Sequence, residues 1–240
     1  MRRFRPSLLL SFATVALTAI LLSLGFWQLE RAELRRAQDE LKQERAQLSP
    51  VYITSFPEES LEELANRRVR LRGQYLPWQF LLDNQIHDKQ PGYHVLSPFE
   101  LSTYEQVVLV NRGWVPGEVD RSRLPSVPAP TESEIQLDGV VYLPQPNPFT
   151  DSDHLLEGHG WPQVVQGIDY PRLAERLSEL SLVPATVRLG EDQPHGYTRA
   201  WPSPPMSAGK HTAYAVQWFA MAAAVVILFL LYSVRPIFRN

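Results

Sequence analysis

The chain of 240 residues contains no cysteine. Disulfide frameworks, thiolate metal sites and covalent haem attachment through a CxxCH motif are therefore excluded. The sequence also has no glycine-rich loop that would cradle a phosphate and no nucleophile elbow. Its formal net charge of -3 provides no basic excess for binding a polyanion. We therefore expect a protein that is not an enzyme and has no nucleic-acid partner.

Charged residues are missing from two long segments, one near each end of the chain. The first segment covers residues 6–29 and the second covers residues 212–234. Each is long enough to cross the hydrocarbon core of a bilayer as a helix. The sequence therefore predicts two transmembrane helices.

The first apolar segment also has one feature of a cleaved signal peptide, because arginines precede it at positions 2, 3 and 5. A signal peptide, however, has an apolar region of about 7 to 15 residues followed by a small-x-small cleavage site. Here the apolar run continues into Phe26, Trp27 and a charged segment. Bulky aromatic residues at this depth are typical of an interfacial anchor, so we favour a retained helix.

Arginines also indicate the orientation, because they lie in both short tails, at positions 2, 3 and 5 and at positions 235 and 239. Lys and Arg in short flanking tails mark the cytoplasmic side of a membrane. We therefore expect tails 1–5 and 235–240 in the cytoplasm and residues 30–211 in the periplasm. The simplest location is a bacterial inner membrane.

The predicted periplasmic domain combines helix and strand patterns. Residues 30–48 have helical spacing and extend the first transmembrane helix into solvent, and residues 58–65 form a further short helix. A later helix at 168–180, capped by Asp169, leads to a strand at 185–189. Alternating or β-branched residues predict the other strands, at 69–75, 80–86, 93–101, 106–114 and 134–143. We predict an α+β membrane protein in which two transmembrane helices flank one domain rich in antiparallel sheet.

Four stretches of the chain together resemble one known family. They are Gly25, Trp27, Gln28 and Arg31 within LGFWQLERAELR; the central Gly73-Gln74-Tyr75, Gly92-Tyr93-His94-Val95 and Pro98-Phe99; the block Val110-Asn111-Arg112-Gly113-Trp114-Val115-Pro116; and His211, Tyr214, Ala215, Gln217, Trp218 and Phe219. In this combination the chain resembles the Surfeit locus family of cytochrome c oxidase assembly factors. The two predicted transmembrane helices agree with the topology of that family.

The resemblance implies a role in maturing the copper- and haem a-containing core subunit of cytochrome c oxidase. The partners that it implies are this core subunit, haem a synthase and the lipid bilayer. Some bacterial members bind haem a, and the histidine at the position of His211 is proposed to engage it. Haem a is therefore expected as a transient cofactor, and no catalytic turnover is expected.

A helical stripe places other residues beside His211. At about 100° per residue, His211, Tyr214, Ala215, Trp218 and Ala222 share one face of a helix. This face offers an imidazole, two flat rings and two small residues. The residues alone favour a membrane-interface belt, since Trp and Tyr favour both boundaries of a bilayer. The resemblance implies the alternative, in which a haem contacts His211, Tyr214 and Trp218, and we predict this contact.

A second stripe, formed by Trp27, Arg31 and Leu34, has i, i+4, i+7 spacing on the first helix. We expect it to face the second helix near His211, where Trp27 would contact the haem and Arg31 would pair with a haem propionate. The alternative for Arg31 is an interfacial arginine that reaches water beside a tryptophan.

Two further groups of residues are assigned no chemistry. Asn111, Arg112 and Trp114 are expected at a strand end, with Gly113 in a tight turn. We expect a structural role for them, and contact with a partner is the alternative. The other group is a ligand-rich cluster, but its HLLEGH order has one residue too many for an H-x-x-E-H zinc motif and it lacks the ligand spacing of an EF-hand. We expect a solvated acidic loop without a metal at Asp151, Asp153, His154, Glu157 and His159.

Three functions stay open. The first is transient binding of haem a and its insertion into the oxidase core subunit. The second is a cofactor-free membrane chaperone that recognises the same subunit by helix packing. The third is a periplasmic sensor, which would need a separate partner for its cytoplasmic output because the tails are short.

Overall fold

The computed structural model describes residues 2–4, 7–118, 123–144, 160–177, 180–199, 201 and 206–236. The chain divides into two compact units, one made of residues 1–41 and 203–240 and the other of residues 42–202. They are called the helical unit and the barrel unit. The elements are β1 (Arg2–Phe4), α1 (Leu8–Gln47), β2 (Val51–Ile53), α2 (Leu61–Leu64), β3 (Arg68–Tyr75), β4 (Phe80–His87), β5 (Gln90–Leu101), β6 (Val107–Pro116), β7 (Ile135–Tyr142), β8 (Gln163–Val165), α3 (Tyr170–Arg176), β9 (Leu182–Leu189), α4 (Ala208–Ser233) and β10 (Val234–Pro236).

Two long helices, α1 and α4, dominate the helical unit, and both are long and apolar enough to cross a membrane. The charged segment that follows the first apolar run is helical as predicted, because α1 continues without a break to Gln47. The second helix begins earlier than predicted, at Ala208, where the Ser207 side chain caps it by accepting from the Lys210 N–H. His211 therefore lies in the first turn of α4.

Small residues bring the two helices close together. Gly25 of α1 and Ala215 and Ala222 of α4 are buried. A Cβ on Gly25 would collide with the ring of Phe219, so glycine allows this approach without a shift of that ring. Close backbone approach at small residues is how helices pack when the surrounding solvent is as apolar as their side chains.

The two ends of the chain also meet within the helical unit. β1 and β10 pair as antiparallel strands, with Arg2 opposite Pro236 and Phe4 opposite Val234. Hydropathy gave no sign of these three-residue strands. Their pairing places both chain ends at the same end of the helix pair.

Five strands of the barrel unit close into a barrel. β3 pairs with β7, β7 with β9, β9 with β6, and β6 with β5, which returns to pair with β3. Only the β6–β9 pair within this ring is parallel. If the five strands of the ring are numbered 1 to 5 in chain order (β3, β5, β6, β7 and β9), their order around the barrel is 1-2-3-5-4-1. This is the connectivity of an OB-type Greek-key barrel. That likeness describes architecture and assigns no function.

The prediction of an antiparallel sheet is right for most of the pairs but wrong for three of them. β2 lies parallel to β3, β8 lies parallel to β4, and β9 lies parallel to β6. β2 and β8 have three residues each, too few for an alternating pattern to reveal them. The helix predicted at 168–180 is described as α3, Tyr170–Arg176, with the expected Asp169 cap accepting from the Arg172 N–H.

Alternation along the strands fills the barrel with branched and aromatic side chains. In β3, for example, Val69 and Leu71 are fully buried, whereas Arg70 points outward and forms two hydrogen bonds of 2.6 Å with Asp138. The interior also contains Phe99, Leu101, Val108, Val110, Leu137, Val141 and Val187. Burial of these apolar surfaces is the main stabilising contribution to the barrel.

Outside the ring, α3 and β8 cover part of the barrel. Leu173 and Leu177 at the end of α3 pack with Val165 of β8 against Leu96 of β5 and Leu109 of β6. The outer face of β5 and β6 is therefore buried as well as their inner face. This explains why almost every residue of both strands is buried.

The seam between β3 and β5 depends on Gly73. A Cβ at this position would collide with the backbone carbonyl of Glu100 on β5. We expect Gly73→Ala to lower the free energy of unfolding by at least about 2 kcal/mol, because backbone cannot give way as a side chain can. For a domain of this size the melting temperature should fall by roughly 5 °C or more.

The measurement is thermal unfolding of the full chain in detergent, followed by near-ultraviolet circular dichroism. Gly160→Ala is the matched control, since nothing lies within 4 Å of a Cβ at Gly160. Equal melting temperatures for the two variants would contradict the importance of this seam.

Candidate functional site

His211 is held by a side chain of the other long helix. Its Nδ1 lies 2.8 Å from Oε1 of Gln28 on α1. Because a carbonyl oxygen only accepts, Nδ1 is the donor in this bond, and in the tautomer that donates from Nδ1 the lone pair lies on Nε2. The imidazole of His211 makes no other hydrogen bond or ion pair to the residues that the structure describes. The arrangement leaves Nε2 able to bind a metal.

Contacts on either side of this pair fix its geometry. Arg36 donates to the hydroxyl of Thr212 at 2.9 Å, and that hydroxyl donates to the Ala208 carbonyl at 3.0 Å. On the apolar side, the rings of Phe26 and Phe219 pack edge to face, 5.3 Å apart. His211 and Gln28 therefore meet between a polar contact and an aromatic contact of the same two helices.

The residues predicted to share a helix face with His211 differ in how exposed they are. Ala215 and Ala222 are buried, Trp218 is half-buried, and the Tyr214 side chain is 47% exposed. Tyr214 and Trp218 thus lie on the accessible flank of α4 within two turns of His211. Their contact with a haem stays a prediction.

The stripe of Trp27, Arg31 and Leu34 does not face α4, and this expectation was wrong. Trp27 and Leu34 are exposed, and the Arg31 guanidinium stacks on the Trp27 ring, 5.6 Å from its centroid. The residues that face α4 include Gly25 and Gln28, and Gln28 lies about 100° around the helix from Trp27. Haem contact by Trp27 and Arg31 stays a prediction.

Gln28 is the site residue that sequence reasoning missed. It stands in the same family motif as Trp27 and Arg31, so the motif carried a signal for it. Spacing alone could not choose between neighbouring faces of α1, because the exposed face is as apolar and aromatic as the face that packs.

Arg112 was expected at a strand end, but it lies in the middle of β6. It is only 4% exposed. Its Nε donates to the His195 carbonyl at 2.6 Å. Its Nη1 donates to the Pro128 carbonyl at 3.0 Å, Gln79 Oε1 at 3.3 Å and Ser97 Oγ at 3.4 Å. The Arg112 guanidinium therefore connects β6 to β5 and to the three segments that contain Gln79, Pro128 and His195.

Two aromatic rings complete the surroundings of Arg112. Its guanidinium carbon lies 5.5 Å from the centroid of Tyr75 and 5.0 Å from that of Tyr197. Burial lowers the pKa of Arg112 and raises the pKa of the Tyr75 hydroxyl. Neutral acceptors and ring faces stabilise this cation, which supports the expected structural role of the motif.

Gly113 is required by a chain crossing and not by the expected tight turn. Its φ is +115°, and a Cβ would lie 2.7 Å from the Thr198 carbonyl oxygen. Residues on both sides pair with that crossing segment, since the Trp114 N–H donates to Thr198 and the Tyr197 N–H donates to the Arg112 carbonyl. The glycine lets the segment 195–198 lie against β6.

The ligand-rich cluster of Asp151, Asp153, His154, Glu157 and His159 lies outside the described residues. Among the residues that are described, there is no group of three or more histidine, aspartate or glutamate side chains that could hold a metal ion.

The model of the SURF1 family matches residues 15–223, which include every residue of the site described above. The chain belongs to the SURF1 family. Its members are assembly factors, and the family is not one of known enzymes.

Curated relatives resemble the chain along most of its length. A SURF1-like protein of Monosiga brevicollis is 22% identical over 91% of this chain and 85% of its own length. Surfeit locus protein 1 of Xenopus tropicalis is 25% identical over 90% of this chain and 73% of its own. A SURF1-like protein of Rickettsia conorii is 24% identical over 90% and 88%. The family assignment therefore covers both units.

The structural role of Arg112 can be tested by removing its donors. In Arg112→Met, the carbonyl oxygens of Pro128 and His195 lose their donor inside the fold, whereas Gln79 Oε1 keeps the one from Ser97. We expect the free energy of unfolding to fall by about 3 kcal/mol or more, since each unsatisfied buried acceptor costs about 1–3 kcal/mol.

Thermal unfolding of the full chain in detergent measures this loss. The control is Arg72→Met, since Arg72 is exposed on β3 and forms a surface ion pair with Glu134, which contributes little to stability. A protein in which both variants melt like the wild type would refute the role given to Arg112.

Proposed function

We propose that this SURF1 family member assists the assembly of cytochrome c oxidase, holding haem a at His211 before its insertion into the core subunit. The observation that carries this proposal is the 2.8 Å hydrogen bond between His211 and Gln28, which prepares one imidazole nitrogen for a metal. Membership of a family of assembly factors supports the role in assembly. The core subunit, haem a synthase and the lipid bilayer are the partners that we propose.

We propose further that α1 and α4 cross a bacterial inner membrane as a hairpin. Their length and apolar composition support this, and so does the β1–β10 pairing, which puts both chain ends on one side. The arginines of the tails assign that side to the cytoplasm. The barrel unit, which connects the other ends of the two helices, is then periplasmic.

The residues around His211 could hold a haem. Haem a, when bound, would supply an iron that takes an imidazole nitrogen as a ligand. His211 would provide Nε2 for this bond, while Gln28 holds the tautomer and the ring orientation through Nδ1. Tyr214 and Trp218 provide flat apolar surfaces beside it.

A single protein ligand suits a protein that must give its cofactor away. The described residues include no second histidine on either long helix. One imidazole binds iron less firmly than two would, so a receiving subunit with its own histidines can compete for the same haem. The proposed site therefore favours transfer over storage.

Loss of the ligand is the direct test. We expect His211→Ala, purified from cells that make haem a, to contain at least about tenfold less haem than the wild type at matched protein concentration. Pyridine haemochrome spectra measure the content and identify the haem. His87→Ala, which alters a partly exposed histidine of β4, is the control and should keep its haem.

Unchanged haem in His211→Ala would exclude this residue as the ligand. If the wild type also carried no haem although the host made it in quantity, the cofactor-free membrane chaperone would be the better function. In that case the contact between Gln28 and His211 would serve only to join the two helices.

The role of Gln28 gives a second, independent readout. Gln28→Leu removes the acceptor of the Nδ1 proton, so the haem affinity should weaken by about tenfold or more, as for other residues that orient a metal ligand. Gln28→Glu keeps an acceptor and should retain the affinity.

Haem titration of the purified variants, followed by the Soret absorbance, measures this effect. Gln217→Leu is the matched control, because Gln217 is an exposed glutamine of α4. If Gln28→Leu and Gln217→Leu bind haem equally well, Gln28 does not position the ligand.

A further inference from the structure

One arginine of the barrel unit projects from the outer surface of the ring. Val187 of β9 and Val110 of β6 line the barrel interior, so their neighbours Arg188 and Asn111 lie on the outside. These two residues are register partners in the parallel β6–β9 pair.

Aromatic residues surround this arginine. Its guanidinium carbon lies 3.7 Å from the ring centroid of Tyr142 and 5.2 Å from that of Trp201. The ring of His94 packs edge to face on Trp201, and Asn111 contacts His94 Nδ1 at 3.3 Å. The outer arginine patch consists of Tyr142, Arg188, Trp201, Asn111 and His94.

Arg188 has no acceptor within the described part of the chain. Its Nε is buried and has no hydrogen-bond partner, and neither Nη atom forms a hydrogen bond or an ion pair with a described residue. Burial lowers the pKa of Arg188. A desolvated cation without a counter-charge is unfavourable, and a bound anion would relieve this.

Two other arginines of the same barrel show what Arg188 lacks. Arg70 forms two hydrogen bonds of 2.6 Å with the carboxylate of Asp138. Arg112 donates to carbonyl and side-chain oxygens on four segments. Arg188 also lies against aromatic rings but has none of these acceptors among the described residues, so its donors are available to an external group.

We propose that the outer arginine patch binds an aspartate or glutamate side chain of a partner protein. A single guanidinium matches a single negative charge, and its fork of N–H groups binds both oxygens of a carboxylate. Arg, Tyr and Trp are the residue types that contribute most binding energy at protein interfaces. The site belongs to the barrel unit and does not depend on haem at His211.

The test measures binding of a short fluorescent peptide of alternating aspartate and glutamate to the full chain in nanodiscs of zwitterionic lipid. Fluorescence anisotropy compares it with the same peptide made of asparagine and glutamine. We expect the acidic peptide to bind the wild type at least about tenfold more tightly than the neutral one. Equal binding of the two peptides would overturn the proposal.

Variants assign the effect to the patch. Arg188→Gln should lose about tenfold in affinity, and Arg188→Lys should not restore it, because an ammonium group lacks the planar fork. Trp201→Leu keeps the charge but removes one wall, and it should weaken binding several-fold. Arg72→Gln, an exposed arginine on β3, is the control. An equal loss in Arg72→Gln would show only general attraction between charges and would refute a specific site.

Haem provides the other possible source of a carboxylate, through its propionates. If Arg188→Gln weakened haem binding but left binding of the acidic peptide unchanged, the patch would be a propionate site and the proposal of a partner protein would fail. His211→Ala should leave peptide binding unchanged, so failure of the haem proposal would not affect this test. Circular dichroism of each variant confirms that the barrel has folded.

Discussion

The return of β5 to β3 is the pairing on which the barrel unit depends. β5 is twelve residues long, so its first part pairs with β4 and its last part with β3, while β6 lies along its other edge. Without this seam the sheet would stay open and its interior leucines and valines would face water. The buried position of Arg112 also follows from closure, since it needs Ser97 of β5 and Tyr75 of β3 around it.

The helical unit obeys a different constraint, because in the proposed membrane location two apolar helices would gain little from burying one against the other. Their association relies on close packing at Gly25 and Ala215 and on polar contacts at one end, where Gln28 meets His211 and Arg36 meets Thr212. The contact between Gln28 and His211, on which the haem proposal rests, is therefore also one that joins the two helices.

The sequence predicted what local patterns determine. Hydropathy located α1 and α4, and alternation located the five barrel strands to within a few residues. Properties set by distant partners were out of reach: the parallel pairing of β6 with β9, the face of α1 that meets α4, and the burial of Arg112, whose side chain is usually exposed. For the same reason, residue spacing predicted Arg31 and not Gln28 as the neighbour of His211. Only the position of α4 shows which of these two faces of α1 is in contact with it.

In OB-type barrels the outer face of the second and third strands is the surface that holds a ligand. In this chain those strands are β5 and β6, and Leu173 and Leu177 of α3 already occupy that surface. In this barrel, two leucines of the same chain therefore cover the face on which an OB-type barrel would bind its ligand. Displacing it would expose at least these two leucines, at roughly 1.5–3 kcal/mol each. A competitor for this face has to overcome that amount before gaining any affinity, whereas the flank with Arg188 presents no such barrier.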